Sequence, residues 1–142
     1  MSVSLSAAST IVDAALKAGR EKGMMPLTVA VLDAGGHLVA FKREDGSGIL
    51  RFDIAFGKAW GALGMGFGSR ELFNRTPANP TFMAALSAAS GGRVVPVPGG
   101  VLILEGGVVA GAVGVSGDVS DNDEVCAIAG IEAAGLQSKT GL

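Results

Sequence analysis

Glycine constrains this fold more than any other residue. Two β-rich stretches each turn on a glycine pair: residues 27–41 (LTVAVLDAGGHLVAF) on Gly35 and Gly36, and residues 101–115 (VLILEGGVVAGAVGV) on Gly106 and Gly107. Glycine reaches the positive φ that tight turns demand, so each stretch reads as a β-hairpin. Strands are expected at 27–32, 37–41, 101–104 and 108–115. The likeness of the two ribbons is one of turn chemistry, because the segments between them share no period.

Helical spacing accounts for most of the remainder. Residues 6–22 carry Ile11, Ala15 and Ala18, with Val12 and Leu16 alongside, and Gly23 stops the run. Residues 49–68 place Phe52, Phe56, Ala59, Leu63 and Phe67 on one face, and Gly57, Gly61 and Gly64 let another backbone come close at a cost in helix propensity. A stretch broken by Pro77 and Pro80 leads into a small helix at 81–90. Residues 91–100 (GGRVVPVPGG) form a connector of turn-formers, and 123–136 form a closing helix. The order helix, hairpin, two helices, hairpin, helix predicts an α+β domain spanning 1–142: an antiparallel β-sheet of two hairpins, flanked by about four helices.

Composition narrows the function. Of 142 residues, 49% are hydrophobic and 17% charged, which is too apolar for a disordered chain. There are six Phe, one Trp and no Tyr, too few aromatics to stack single-stranded nucleic acid. A net charge of −2 and a pI near 5.3 give no basic footprint for a phosphate backbone or an anionic membrane. Residues 108–115 are too short for a membrane span, which takes about 20 residues. The first 17 residues lack an early positive charge and contain Asp13, unlike a secretory signal. The expected address is therefore the cytoplasm. The apolar excess points to surface hidden between subunits, hence a homo-oligomer.

The catalytic inventory is small. One His and one Cys exclude a metal site built from His and Cys clusters, and no metal is expected. There is no GxSxG elbow and no Walker A loop. The glycines at 64–68 lie inside a helical pattern, which argues against dinucleotide binding. His37 opens the second strand, and a turn residue bonding the loop backbone is preferred there over a general base or a ligand. Asp118, Asp121, Asp123 and Glu124 could offer oxygens to Ca²⁺, but their spacing is not that of an EF-hand. A capping box of Asp121 with Glu124 is the simpler reading.

Geometry says more than residue type. If 27–32 runs antiparallel to 108–115, one end of the sheet gathers the loop 42–48, the approach to Leu27, Gly99 and Gly100, and the exit Ser116, Gly117 and Asp118. The helix starts near Ile49 and Asp123 point to the same end, and helix N-termini attract anions. Arg43 and Arg51 could there bind carboxylate or phosphate. Lys58, in an apolar helix, is either a salt-bridged structural residue or a buried lysine beside the pocket. With Asp123 it is the candidate for moving protons. His37 and Glu105 are expected at the opposite end.

The run 29–41 (VAVLDAGGHLVAF) resembles the signature of the GlcG/HbpS-like family, also known as the haem-degrading or PduO C-terminal-like domain. Asp53-Ile54-Ala55 with Lys58-Ala59, then Pro98-Gly99-Gly100, the run 105–117 (EGGVVAGAVGVSG) and Asp123 follow in the family's order. The resemblance implies a sheet flanked by helices, a homo-oligomer often built from dimers, and for some members haem binding. PduO-type haem binders use a His in the first helix, and this chain has none there. Met24, Met25 or His37 would have to replace it.

The expected function is that of a small-molecule-binding protein, with haem the ligand the resemblance implies. The alternative is an enzyme of a catabolic pathway (isomerase, lyase or ring-opening type) acting on a small carboxylated metabolite. Arg51 would fix the carboxylate and Lys58 or an Asp would move protons. A purely structural or chaperone-like partner is a third class, for which only the apolar surface speaks.

Overall fold

Ser4 starts the first helix. Its hydroxyl accepts from the Ala7 N–H at 3.1 Å, and α1 runs Leu5–Glu21 until Gly23 turns the chain at φ 64°. Ala8, Ile11, Val12 and Ala15 form its buried face. The chain then enters β1 (Thr28–Asp33), turns, and returns as β2 (Leu38–Arg43). Asp33 holds this turn, its Oδ1 accepting from the Gly35 and His37 N–H groups at 3.0 and 2.9 Å. Gly36 adopts φ 84°. The helix α2 (Arg51–Met65) ends on Gly66 in the left-handed region. Two short helices follow, α3 (Ser69–Arg75) and α4 (Pro80–Ala89), the latter with Pro in its first turn. The second hairpin is β3 (Gly100–Glu105) and β4 (Val108–Ser116). The chain closes with α5 (Ser120–Ala133) and β5 (Gln137–Lys139).

This is a computed structural model and it describes residues 1–142. The sheet is antiparallel throughout, in the order β2-β1-β4-β3-β5. The α+β class and the pairing of 27–32 with 108–115 match the sequence reading: Thr28 faces Ser116, and Ala30 faces Gly114. No helix is long and apolar enough to cross a membrane.

Alternation along the strands sorts the core into two layers. Val29, Val31, Val101, Ile103, Val113 and Val115 pack against Ile11, Val12, Ala15, Ala127 and Ile131 of α1 and α5. Each fully buried Val or Ile contributes about 1.5–3 kcal/mol, so this layer supplies most of the stabilisation. Leu32, Leu102 and Ala112 face the other way, against Ala59 and Ala62 of α2.

The contact between α2 and the sheet corrects one sequence expectation. Gly100 and Gly114 are cross-strand partners, and a Cβ on either would strike the α2 backbone, at Lys58 O and Ala55 O respectively. The helix therefore lies directly on a glycine saddle. Only small residues fit beneath it: Ala55, Ala59 and Ala62, with Lys58 threaded between. The stripe Phe52, Phe56, Leu63 does not form the buried face. Phe52 and Phe56 sit half-buried at the flank, and Phe52 meets Phe41 of β2 edge-on at a 5.0 Å ring separation. Gly57 and Gly61 do receive a close neighbour, the segment 93–95, whereas Gly64 meets nothing within the chain.

Candidate functional site

The sheet end that carries Thr28, Arg43, Gly100 and Ser116 gathers polar groups on the α2 side. The first turn of α2 puts Arg51 over the end of β4, where its Nη1 donates to Ser116 Oγ at 3.2 Å. Thr28 Oγ1 and Ser47 Oγ lie 2.8 Å apart on the neighbouring strand and loop. One helical face deeper, Lys58 is 2% exposed and Asp123 is 1%. Lys58 Nζ donates to Asp123 Oδ2 at 3.0 Å and to Val115 O at 2.9 Å.

The electrostatics of this pair follow from its depth. Burial pushes the Lys58 ammonium below its ordinary value, and the Asp123 charge opposes that shift. Burial likewise pushes Asp123 up, against the pull of Lys58. Asp123 does not depend on Lys58 alone, since its Oδ1 accepts from the Asp118 N–H at 3.0 Å. The arrangement is a buried proton donor and acceptor in direct contact, one step behind a half-buried guanidinium.

Glycines pack closely around the pair. Gly99 adopts φ 124°, and a Cβ there would stand against Lys58 Nζ and Val115 O. Its carbonyl accepts from the Val115 N–H at 3.0 Å. Gly100 N–H donates to Ser69 Oγ at 2.8 Å, so this amide is already used. Gly117, at φ 150°, leaves room for Pro26 O. These residues provide clearance, and of their three amides only that of Gly100 has an acceptor in the chain.

Asp118 is a clasp. Its Oδ1 accepts from the Met25 N–H at 3.0 Å and its Oδ2 from the Asn122 amide at 2.6 Å. The Asn122 and Met25 bonds hold its carboxyl below the usual range. Arg43 stands apart from the inner group. With Arg20, Pro26, Glu44 and Asp45 it lines an open polar groove of about 410 Å³. Glu44 Oε2 pairs with Arg20 at 2.8 Å, and Glu44 Oε1 accepts from the Leu27 N–H at 2.7 Å.

Two sequence readings change. The capping box of Asp121 with Glu124 is not formed: α5 starts three residues earlier than expected, with Val119 at the cap and no side-chain bond there. Both carboxylates turn instead to Arg70 of α3, at 2.6 and 2.9 Å. The four acidic residues thus face three different partners, which disperses the oxygens a Ca²⁺ ion would need together. Second, of the alternatives left open for Lys58 the salt-bridged one is seen, in a residue that is also buried. His37 lies at the far end of the sheet, its side chain 82% exposed and Nδ1 3.3 Å from Asp33 Oδ1. Ser69, Arg70, Ser47 and Thr28 were not singled out from sequence. Only Ser69, directly after Gly68, carried a helix-start signal.

Comparison with known proteins adds the following. A family model described as haem degrading protein HbpS-like matches residues 3–132. The crystal structure of a PduOC:heme complex superposes with a TM-score of 0.88 at 23% identity, covering 99% of this chain and all of that one, a likeness of fold. A double mutant of Streptomyces reticuli HbpS superposes at 0.79 with 28% identity, covering 93% of this chain and 86% of the other. An uncharacterised 15.0 kDa protein of the dhaT-dhaS intergenic region of Citrobacter freundii is 29% identical over 103 residues, 72% of each chain.

Proposed function

The chain belongs to the HbpS-like family, and from that premise we propose that it is a small-molecule-binding protein whose mouth takes a small carboxylated ligand. Arg51 is the observation that carries this reading. It pairs with no carboxylate of the chain, and its side chain makes one hydrogen bond, to Ser116. A guanidinium has five N–H donors in a fork that matches a carboxylate, so most of its capacity is unspent within the chain. Lys58 supports the same end: an ammonium has three hydrogens, and two acceptors are in place. The third serves a ligand atom that enters past Gly99. Ser116 and Arg51 fix the carboxylate, Gly99, Gly100, Gly117 and Asp118 shape the entrance, and Arg43 draws anions along the outer groove.

Titration calorimetry with acetate, glycolate, pyruvate and succinate tests the proposal. At least one binds saturably, and Arg51→Ala weakens it about tenfold or more, the worth of a charge-assisted contact. Lys58→Ala and Asp123→Asn weaken it too. Unchanged affinity in all three variants removes the mouth as the site.

The second reading is the enzyme, an isomerase, lyase or ring-opening catalyst of a catabolic step. Contact between Lys58 and Asp123 favours it, because a proton can pass between a lysine shifted down and a carboxylate shifted up. Exchange of ligand C–H for deuterium in D₂O, lost in Asp123→Asn while binding persists, separates turnover from binding.

Among the similar structures, the PduOC complex holds haem. Met24 Sδ points inward, 3.4 Å from Cys126 Sγ, and His37 lies at the opposite end of the sheet. Met25 is exposed at the mouth, but the groove beside it has no apolar lining for a porphyrin face. Of the three candidate ligands, His37 and Met25 have side chains open to a ligand. Haemin titration at near-stoichiometric protein decides: a Soret shift lost in His37→Ala or Met25→Ala keeps haem as the ligand, and an unshifted band removes it.

The proposal includes assembly into a homo-oligomer in the cytoplasm. Ile49 and Leu50 are 87% and 65% exposed, and Phe41 is 41% exposed against Phe52. This apolar ledge ends where Arg51 begins, so a second copy seated on it would wall the mouth.

A further inference from the structure

The geometry points to a second binding site, for a one-ring aromatic carboxylate, in the groove between α2 and α4 with Trp60 as its wall and Arg93 at its rim. The groove holds about 200 Å³ between Trp60, Met65, Leu86 and Val94, over the floor residue Gly64. Its surface is almost wholly apolar. A cavity of about 150 Å³ lined by aliphatic side chains takes up benzene, so the space suits a single ring with a short substituent.

Two further observations select the occupant. The first is Gly64. A glycine inside a helix weakens it relative to alanine. At Gly57 and Gly61 the neighbouring segment 93–95 explains it, but at Gly64 an added Cβ would meet nothing within 4 Å. The clearance above Gly64 therefore serves no contact within the chain, and it opens into this groove and into a second one of about 180 Å³ on the other side of Trp60. The second is Arg93. Its guanidinium stacks 4.1 Å from the Trp60 ring centre, and its Nε donates to Ser90 O at 3.0 Å. These contacts hold the group in place. Arg93 pairs with no carboxylate of the chain, and its terminal nitrogens have no protein acceptor. A cation pinned against Trp60 and Ser90, two residues of the groove lining, complements a ring that bears an anion.

This site is distinct from the mouth. Trp60 follows Arg51 by nine residues, about 14 Å along the helix. The single Trp of the sequence makes the readout specific, because an ¹⁵N-labelled sample shows one indole N–H signal. Benzoate is the probe, with benzyl alcohol (the ring without the charge) and acetate (the charge without the ring) as comparators. Benzoate shifts the Trp60 indole and Gly64 amide signals saturably, at least about fivefold more tightly than either comparator, as one charge-assisted contact requires. Arg93→Ala lowers benzoate to the level of benzyl alcohol, and Arg93→Lys recovers only part of the loss. Gly64→Leu fills the slot and abolishes the shift; leucine suits a helix better than glycine, so the fold persists. Arg51→Ala leaves the benzoate response unchanged, which separates this outcome from failure at the mouth. No saturable shift, equal binding of a comparator, or a response untouched by both Arg93→Ala and Gly64→Leu overturns the proposal.

Discussion

Lys58 Nζ and Asp123 Oδ2 lie 3.0 Å apart in a part of the protein where both side chains are at most 2% exposed. The two residues are 65 positions apart in sequence. Their contact, with the bond from Lys58 to Val115 O, ties α2, β4 and α5 together beneath the mouth. A buried ion pair is weak evidence for net stability, yet removing one partner strands the other.

Lys58→Met or Asp123→Leu alone is therefore expected to destabilise the protein by about 3–5 kcal/mol. The double variant should lose far less than the sum. Urea unfolding of the four proteins gives the coupling directly, and additive losses would contradict the pairing.

The pH dependence of that pair has a definite sign. Lys58 is shifted below 10.5, so just under that pH the unfolded chain holds more protons than the folded one, and stability rises with pH. Asp123 is shifted above 3.8, so just over that pH the folded state holds more protons, and stability falls as pH rises. Relative to the neutral double variant, the wild type should lose stability above about 3.8 and regain it toward 10.5. Opposite slopes in a urea series across pH would refute the shifts.

The glycines should divide by what surrounds them. Gly114→Ala forces α2 off the saddle, because the new Cβ meets Ala55 O, and a loss of about 1–3 kcal/mol is expected. Gly64→Ala sits in a helix with open space around it and should gain about 0.5–1 kcal/mol. Thermal melts of the two variants should move in opposite directions.

Cys126 is expected to be inert in the native state. Burial pushes its thiol up to about 11, and its sulfur packs on Met24. Ellman's reagent at pH 8 should react with it only as fast as the protein unfolds. Rapid native labelling would show that α5 opens locally.

The apolar ledge beside the mouth gives a last expectation. Ile49→Lys with Leu50→Glu should leave the fold intact, since both side chains are largely exposed, and should lower the mass seen by light scattering. If the wild type is itself a monomer by that measure, the ledge has another purpose.

The sequence disclosed both hairpins because their glycines carry a backbone requirement that no other residue meets as easily. It also disclosed that Gly99 and Ser116 lie toward one end of the sheet, which follows from antiparallel pairing, whereas the reach of Arg51 to Ser116 depends on how α2 crosses the glycine saddle. The elements it concealed take their structure from partners. The strand β5 is three polar residues that become a strand by bonding Leu102 and Leu104 of β3. The helix α3 is seven residues whose start is hidden behind Gly66 and Gly68, glycines that read as the tail of a longer helix. The Phe stripe misled for a related reason: a large apolar residue looks like core, but here the sheet offers glycine, and only alanine fits against it. Arg93 and Trp60 show no adjacency in sequence at all.

The two borders of the sheet are unequal. On one side the last strand is β5, three residues long, which offers little main chain to a neighbour; on the other it is the six-residue β2. Short edge strands discourage edge-to-edge pairing. A copy that joins strand to strand therefore finds its longer template along β2, and two copies that both use β2 form a closed pair.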